Sequence, residues 1–168
     1  MEPWLRGTLE QAPAVGRAVM HALELAAEDV RNWCGDLTGA EMEAQPVGLP
    51  SVGFQLRHIA GSLDRLLTYA EGGELDEEQM AALAGELTAG SSRKEALAEF
   101  EKAVAEGMLR VRALCGLDLQ ERRWVGRRRL PSSLGGLLVH VAEHTARHVG
   151  QVVTTAQVVR AGRGTGVS

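Results

Sequence analysis

Apolar residues recur at intervals of three and four along four stretches of the chain, which is the spacing of one face of an α-helix. The first stretch covers residues 13–34 and the second covers residues 50–71. The third covers residues 92–115 and begins with the capping-box spacing of Ser92 and Glu95. The fourth and longest covers residues 131–160. Because no stretch alternates cleanly between apolar and polar residues, the pattern predicts an all-α protein.

Helices of roughly 20–28 residues are about 30–42 Å long, a length that suits a four-helix bundle. The second and third helices are separated by residues 72–91, which include a short predicted helix at 77–83. A connection of this length can span the bundle, so the two helices are expected to run parallel. The sequence therefore predicts one domain over residues 1–161, a four-helix bundle with a long crossover between helices 2 and 3, and a flexible tail at 162–168.

Composition and charge narrow the range of partners. The chain has 168 residues, of which 45% are hydrophobic and 24% charged, as in an ordinary soluble domain. Its net charge of −4 disfavours general binding to nucleic acid or anionic membranes. It has no apolar run near the ~18 residues of a membrane span, no signal-peptide pattern and no CxxC motif around Cys34 or Cys115. We therefore expect a cytoplasmic protein with buried thiols, no nucleic-acid partner and no membrane partner.

Three of the five histidines follow one another at four-residue intervals in the last predicted helix. Residues four apart differ by ~40° in direction, so His140, His144 and His148 form a stripe with Gln151 beside the apolar face. Two histidines at this spacing can bind one divalent metal ion. His140 and His148 are ~12 Å apart along the axis, which is too far for both to bind one ion. A shared ion would therefore be held by His144 with one of its neighbours.

His58 takes the same position beside the apolar face of the second predicted helix. Its side of that helix also carries the polar residues Gln55, Ser62, Arg65 and Tyr69. A third ligand from this helix would leave coordination positions open, as in catalytic metal sites. The spacing predicts either His58 with His144 and His148, or His58 with His140 and His144, and a merely structural polar stripe is the alternative. His21 lies away from the apolar face of the first helix, so we expect it to be exposed and without a role.

Two segments resemble the signatures of a known family. Residues 144–151 (His-Thr-Ala-Arg-His-Val-Gly-Gln) resemble the HxxxHxGQ signature of the DinB/YfiT-like superfamily, and residues 50–62 resemble its second-helix histidine segment. The resemblance implies a four-helix bundle with a long crossover and three histidines that bind a divalent metal ion, typically zinc or nickel. Carried over by position, the ligands are His58, His144 and His148, and His140 becomes a supporting or structural residue. Characterised members of this superfamily include S-transferases and an isomerase that use low-molecular-weight thiols.

The residues around the histidines favour thiol activation over water activation. An ion held by neutral imidazoles keeps its charge and can ionise a bound thiol or water. A hydrolase also needs a carboxylate as general base, but Glu143 points ~100° away from His144, and the histidine-bearing sides carry no carboxylate. Asp64 and Asp118 stay open as sources. We expect a transferase that activates a low-molecular-weight thiol. The alternatives are a hydrolase that uses metal-bound water and a carboxylate from a loop or another subunit, and a non-catalytic stress-related metal-binding module.

Arginines make up five of the eight residues at positions 122–129 in this otherwise acidic chain. A solvated basic loop is the simplest interpretation. The functional alternative is recruitment of an anionic substrate, because guanidinium groups bind carboxylates and phosphates well. In the transferase hypothesis Arg127, Arg128 and Arg129 steer the carboxylates of the thiol, and Tyr69 or Arg65 polarises the electrophile. A homodimer is a further expectation.

Overall fold

The computed structural model describes residues 1–87 and 92–163. Its α-helices in chain order are α1 (Ala14–Cys34), α2 (Gly39–Glu43), α3 (Val52–Ala70), α4 (Glu77–Gly85), α5 (Arg93–Leu114) and α6 (Leu134–Gly162). Two antiparallel strands, β1 (Arg122–Val125) and β2 (Leu130–Ser133), form a hairpin, and single 3-10 turns occur at Pro3–Leu5 and Pro46–Gly48. The all-α prediction is confirmed. The predicted count of four matches only the long helices, because the described residues also contain the short helices α2 and α4.

Side chains placed by the sequence close the first turns of the long helices. The hydroxyl groups of Ser51, Ser92 and Ser133 accept hydrogen bonds from the third backbone N–H of the helix that each precedes. Ser92 also forms the predicted capping box with Glu95. Such caps each contribute about 1 kcal/mol to helix stability. They explain why α3 and α6 begin at Val52 and Leu134, a few residues later than the periodicity indicated.

The crossover between α3 and α5 carries the chain along the bundle, as expected. The guanidinium of Arg110, near the end of α5, lies 2.7 Å from Asp64 in the second half of α3 and 2.7 Å from Glu71, which directly follows α3. Since the carboxyl-terminal halves of both helices meet, α3 and α5 run parallel. The hydroxyl of Thr155, late in α6, donates to the carbonyl of Pro50 just before α3, so those two helices run antiparallel.

The core between the long helices is aliphatic and tightly packed. Its largest fully buried side chains include Phe100, Met20 and several leucines. Helix α1 approaches the end of α5 so closely that a Cβ at Gly16 would lie 2.2 Å from the Cβ of Cys115, so glycine is required there. Cys34 and Cys115 are buried free thiols, and burial raises the pKa of Cys34 to about 12.

The arginine-rich segment forms the β-hairpin, which the sequence pattern did not predict. Side chains alternate along β1, so Arg123 points toward the bundle while its neighbours point away. The Nε of Arg123 donates to the carbonyl of Ala70 at 2.6 Å, and its Nη1 lies 2.8 Å from Glu121. The last carbonyls of a helix have no intrahelical partner, so Arg123 satisfies the end of α3 and ties the hairpin to it.

The expectation that His21 is exposed is wrong. Its side chain is only 7% exposed, and its Nε2 shares a 3.1 Å hydrogen bond with the hydroxyl of Thr8. The residues before α1 fold back over this side of the helix. Helical periodicity places a side chain relative to its own helix axis, but it does not show what another segment lays over it.

At the other end of the chain, α6 reaches Gly162, two residues beyond the expected end. Arg163 forms ion pairs with Asp36 at 2.9 Å and Glu41 at 2.6 Å. Residues 164–168 of the predicted tail lie outside the described residues. Among the described helices, none combines the length and the apolar character that crossing a membrane would require.

We predict that Arg123→Met lowers the free energy of unfolding by about 2 kcal/mol, because a buried charged hydrogen bond to the end of α3 is lost. Urea titration followed by circular dichroism measures the change. Arg128→Met is the matched control, since Arg128 is exposed in the same hairpin and should leave stability unchanged. Equal stability of the two variants would contradict the anchoring role of Arg123.

Candidate metal centre

Three imidazoles meet at the contact between α3 and α6. The ring centroid of His58 lies 5.2 Å from that of His144 and 4.5 Å from that of His148, and the last two are 4.5 Å apart. One ring nitrogen from each lies within 4.8 Å of the others, and all three residues are half-buried. Of the two combinations that the sequence left open, this one is the set that the fold brings together.

The antiparallel packing explains this convergence. His144 and His148 are one turn apart on α6, so both rings project toward the same part of α3. Thr145 and Val149, the residues that follow them, are buried and hold this side of α6 against the bundle. His58 is stacked on Phe54 one turn earlier in α3, with ring centroids 5.8 Å apart. The rings are therefore placed by the backbone and by their packed neighbours.

Hydrogen bonds orient two of the three rings. The Nδ1 of His148 donates to Oε1 of Gln55 at 2.9 Å, and the Nδ1 of His58 donates to Oε2 of Glu86 at 2.8 Å. Because amide and carboxylate oxygens only accept, the proton lies on Nδ1 and the lone pair on Nε2 is free. A partner at Nδ1 that leaves Nε2 free is the usual arrangement of metal-binding histidines.

Glu86 is a residue that the sequence reasoning did not identify: the histidine-bearing sides of the two helices carry no carboxylate, but the crossover brings this one to His58. It follows α4 in the crossover, and only 8% of it is exposed. Its Oε1 lies 2.6 Å from Nη1 of Arg65, whose Nη2 donates to the hydroxyl of Ser62. Both oxygens of Glu86 are therefore engaged, one by a histidine and one by an arginine.

Gly61 makes room for this carboxylate. A Cβ at Gly61 would lie 2.7 Å from Oε1 of Glu86 and 2.6 Å from Nη1 of Arg65. A larger residue would therefore push the ion pair off the surface of α3. No local pattern in the sequence signals this contact, because Glu86 and His58 are 28 residues apart.

The electrostatics favour the neutral form of two of the imidazoles, those of His144 and His148. Burial, together with the neighbouring His148 and His58, lowers the pKa of His144 to about 4. Burial also lowers the pKa of His148, with His58 as the next cause. Neutral imidazoles can bind a metal ion at neutral pH without first losing a proton. Three such donors fit a divalent transition metal such as zinc or nickel.

Some of the other residues singled out in the sequence lie near the histidines, and the rest lie elsewhere in the fold. Gln55 and Arg65 lie beside the histidines, as described above. Gln151 lies close enough to His148 to oppose the lowering of its pKa, and the ring of His140 lies 5.6 Å from that of His144, with its Nδ1 3.4 Å from Glu143. The two aspartates that the sequence left open as sources of a carboxylate have other partners: Asp64 pairs with Arg110, and Asp118 accepts a hydrogen bond from the backbone N–H of Gln120.

Tyr69, Arg127 and Arg129 line a separate cavity of about 580 Å³ beside the hairpin. Tyr69 follows His58 by eleven residues in α3, which is ~16 Å along the helix axis. Arg128 is exposed and does not line this cavity. The fold thus places these residues away from the three histidines.

Comparisons with known proteins find one matching family and one similar solved structure. The family model of the DinB superfamily matches residues 22–152. A solved structure described as a conserved protein from Enterococcus faecalis is similar in fold, with a TM-score of 0.65 and 18% sequence identity. The similarity covers 89% of this chain and 99% of that chain. No curated protein matches this sequence.

We predict that Glu86→Gln weakens binding of zinc by about 10- to 100-fold, because the amide is a poorer acceptor for the Nδ1 proton of His58. Competition with a chromophoric chelator measures the affinity. Glu78→Gln is the matched control, since it removes the same charge from an exposed position in α4. Wild-type affinity in Glu86→Gln would show that the carboxylate does not orient the ligand.

We also predict that the metal-free protein loses stability as the pH falls from about 6.5 to 4. The pKa of His144 is lowered from 6.5 to about 4 in the folded protein, so the unfolded chain takes up a proton first. The contribution of this neutral imidazole to the free energy of unfolding is therefore complete above pH 6.5 and declines below it. Urea unfolding across this range, compared between wild type and His144→Gln, should show a shallower decline in the variant. Parallel pH profiles would contradict the assignment.

Proposed function

This chain belongs to the DinB superfamily, and we propose that it is a metal-dependent transferase that uses a low-molecular-weight thiol as cosubstrate. His58, His144 and His148 would hold the ion, zinc or nickel. The observation that carries the proposal is the set of three converging imidazoles, two of which have Nε2 free. Such an ion supplies a positive charge that lowers the pKa of a thiol and favours its thiolate form.

The contacts that Glu86 makes with His58 and Arg65 favour a thiol over water as the nucleophile. Water has a pKa of ~15.7 and a thiol ~8.5, so water needs more help in losing its proton. Among the described residues, Glu86 is the carboxylate that pairs with one of the three histidines, His58, and its other oxygen is ion-paired with Arg65. It therefore orients His58 and does not act as a general base toward a nucleophile.

Other side chains would position the reactants. Gln55 and Glu86 fix two imidazole rings, and Arg65 holds Glu86 from the opposite side. Gln151 and His140 lie at the edge of the histidine cluster, where they can contact a substrate. Tyr69 is ~16 Å from His58 along α3, and Arg127 and Arg129 line the same cavity as Tyr69, so we assign all three to the attraction of an anionic substrate and not to the reacting groups.

A hydrolase is the second candidate, because the crossover does bring a carboxylate to the histidines. Glu86 would have to break its contact with Arg65 or with His58 in order to accept a proton from water. A hydrolase would turn over substrate without added thiol, whereas the transferase would not. A non-catalytic metal-binding module would bind the ion and catalyse neither reaction. A cytoplasmic location and a homodimer remain predictions that accompany the proposal.

We predict that untagged protein purified without added metal contains about one zinc or nickel ion per chain, and that His144→Ala loses it together with thiol-dependent turnover of an electrophile. Elemental analysis and a thiol-consumption assay measure the two. His140→Ala is the control, since His140 lies outside the group of three converging nitrogens and should retain the ion. Full retention of metal or activity in His144→Ala would overturn the proposal.

A further inference from the structure

The cavity beside the hairpin has the size of a small-molecule site. Its volume of about 580 Å³ lies between the β-hairpin and the turn that follows α3. Ligand sites typically measure ~300–1,000 Å³. Tyr69, Leu75, Met80 and Trp124 provide its apolar and aromatic walls. Since Tyr69 is ~16 Å from His58 along α3, the cavity is distinct from the metal centre.

The two acidic side chains that line the cavity are already associated with arginines. Glu121 lies 2.8 Å from Arg123, the arginine that anchors the hairpin to α3. Glu74 lies 3.6 Å from Arg129, and both of these side chains are largely exposed, so this contact is weak. A ligand anion with better geometry can therefore replace Glu74.

Two further arginines give the cavity its positive charge. Arg122 and Arg127 line it and form no ion pair with a carboxylate in the described part of the chain. With four arginines and two glutamates in its walls, the cavity is positive, although the whole chain carries −4. Charge of one sign in a cleft attracts oppositely charged ligands.

Trp124 holds two of the guanidinium groups in place. The Cζ atoms of Arg122 and Arg129 lie 5.7 and 5.3 Å from the centre of its ring, within the range of cation–π contacts. Arg129 also has a φ of +48°, a conformation that few residues other than glycine adopt. The indole N–H of Trp124 and the hydroxyl of Tyr69 form no hydrogen bond to the described residues, so both remain open to a ligand.

From these contacts we propose that the cavity binds a small organic anion, a carboxylate or phosphate ester with a short apolar body, independently of the metal ion. The guanidinium groups match the oxygens of such an anion, and the N–H of Trp124 and hydroxyl of Tyr69 add two donors. Leu75 and Met80 contact its apolar part. This inference does not rest on the transferase proposal.

The test uses benzoate and phenyl phosphate as probes in proton–nitrogen NMR titrations of the full chain. The chain has three tryptophans, and Trp124→Phe identifies the indole signal of Trp124. Either probe should shift that signal and leave those of Trp4 and Trp33 in place. Arg122→Gln combined with Arg129→Gln should weaken binding at least ~10-fold, because two charged contacts are lost.

Arg128→Gln is the matched control, since it removes the same charge from the same hairpin outside the cavity. Its affinity should stay within about twofold of wild type, because only long-range attraction changes. Tyr69→Phe removes a single hydroxyl and serves if the double variant does not fold; it too should weaken binding. His144→Ala should bind both probes like wild type.

Four outcomes would overturn the inference. The first is that neither probe shifts the Trp124 signal at millimolar concentration, and the second is that Arg128→Gln and the double variant lose equal affinity for the probes. The third is that His144→Ala no longer binds the probes, and the fourth is that inorganic phosphate binds as tightly as phenyl phosphate. The third outcome would place the anion at the metal centre, whereas failure of the thiol assay alone would leave the cavity site intact.

Discussion

The antiparallel contact between α3 and α6 is the constraint on which the candidate centre depends. Its register is held by the bond from Thr155 to the carbonyl of Pro50 and by the bond from His148 to Gln55. A shift by one helical turn is ~5.4 Å, which exceeds the 4.8 Å within which the three ligand nitrogens lie. The register of α3 against α6 therefore determines whether the three histidines meet.

The crossover contributes to the same site through one side chain. Helix α4 itself buries no residue, so apolar packing does little to hold it against the bundle. Glu86, immediately after it, is buried between Arg65 and His58. A buried carboxylate is unfavourable unless it is paired, and here each oxygen has a charged or hydrogen-bonding partner. The ion pair therefore attaches the crossover to α3 and at the same time orients a ring of the candidate centre.

The sequence predicted the features that depend on local periodicity. The long helices, the short helix after residue 76 and the shared face of His144 and His148 all follow from spacing within one element. The features that it missed depend on contacts between distant segments: Glu86 reaches His58 across the crossover, and the amino-terminal residues cover His21. The hairpin was missed because each strand has only four residues, which is too short for an alternating pattern to stand out.

The arginine-rich segment shows why composition alone could not assign a role. One of its arginines, Arg123, is buried and satisfies the end of α3, so its role is structural. Arg128 faces solvent, while Arg122, Arg127 and Arg129 line the cavity. Side chains alternate between the two faces of β1, and the chain then turns. The arginines within these eight residues therefore have different surroundings. A single helix, α3, then supports both candidate regions, with the histidine centre near its first half and the positive cavity at its end. Because that helix is continuous and capped at both ends, the distance between the two regions is fixed by the fold.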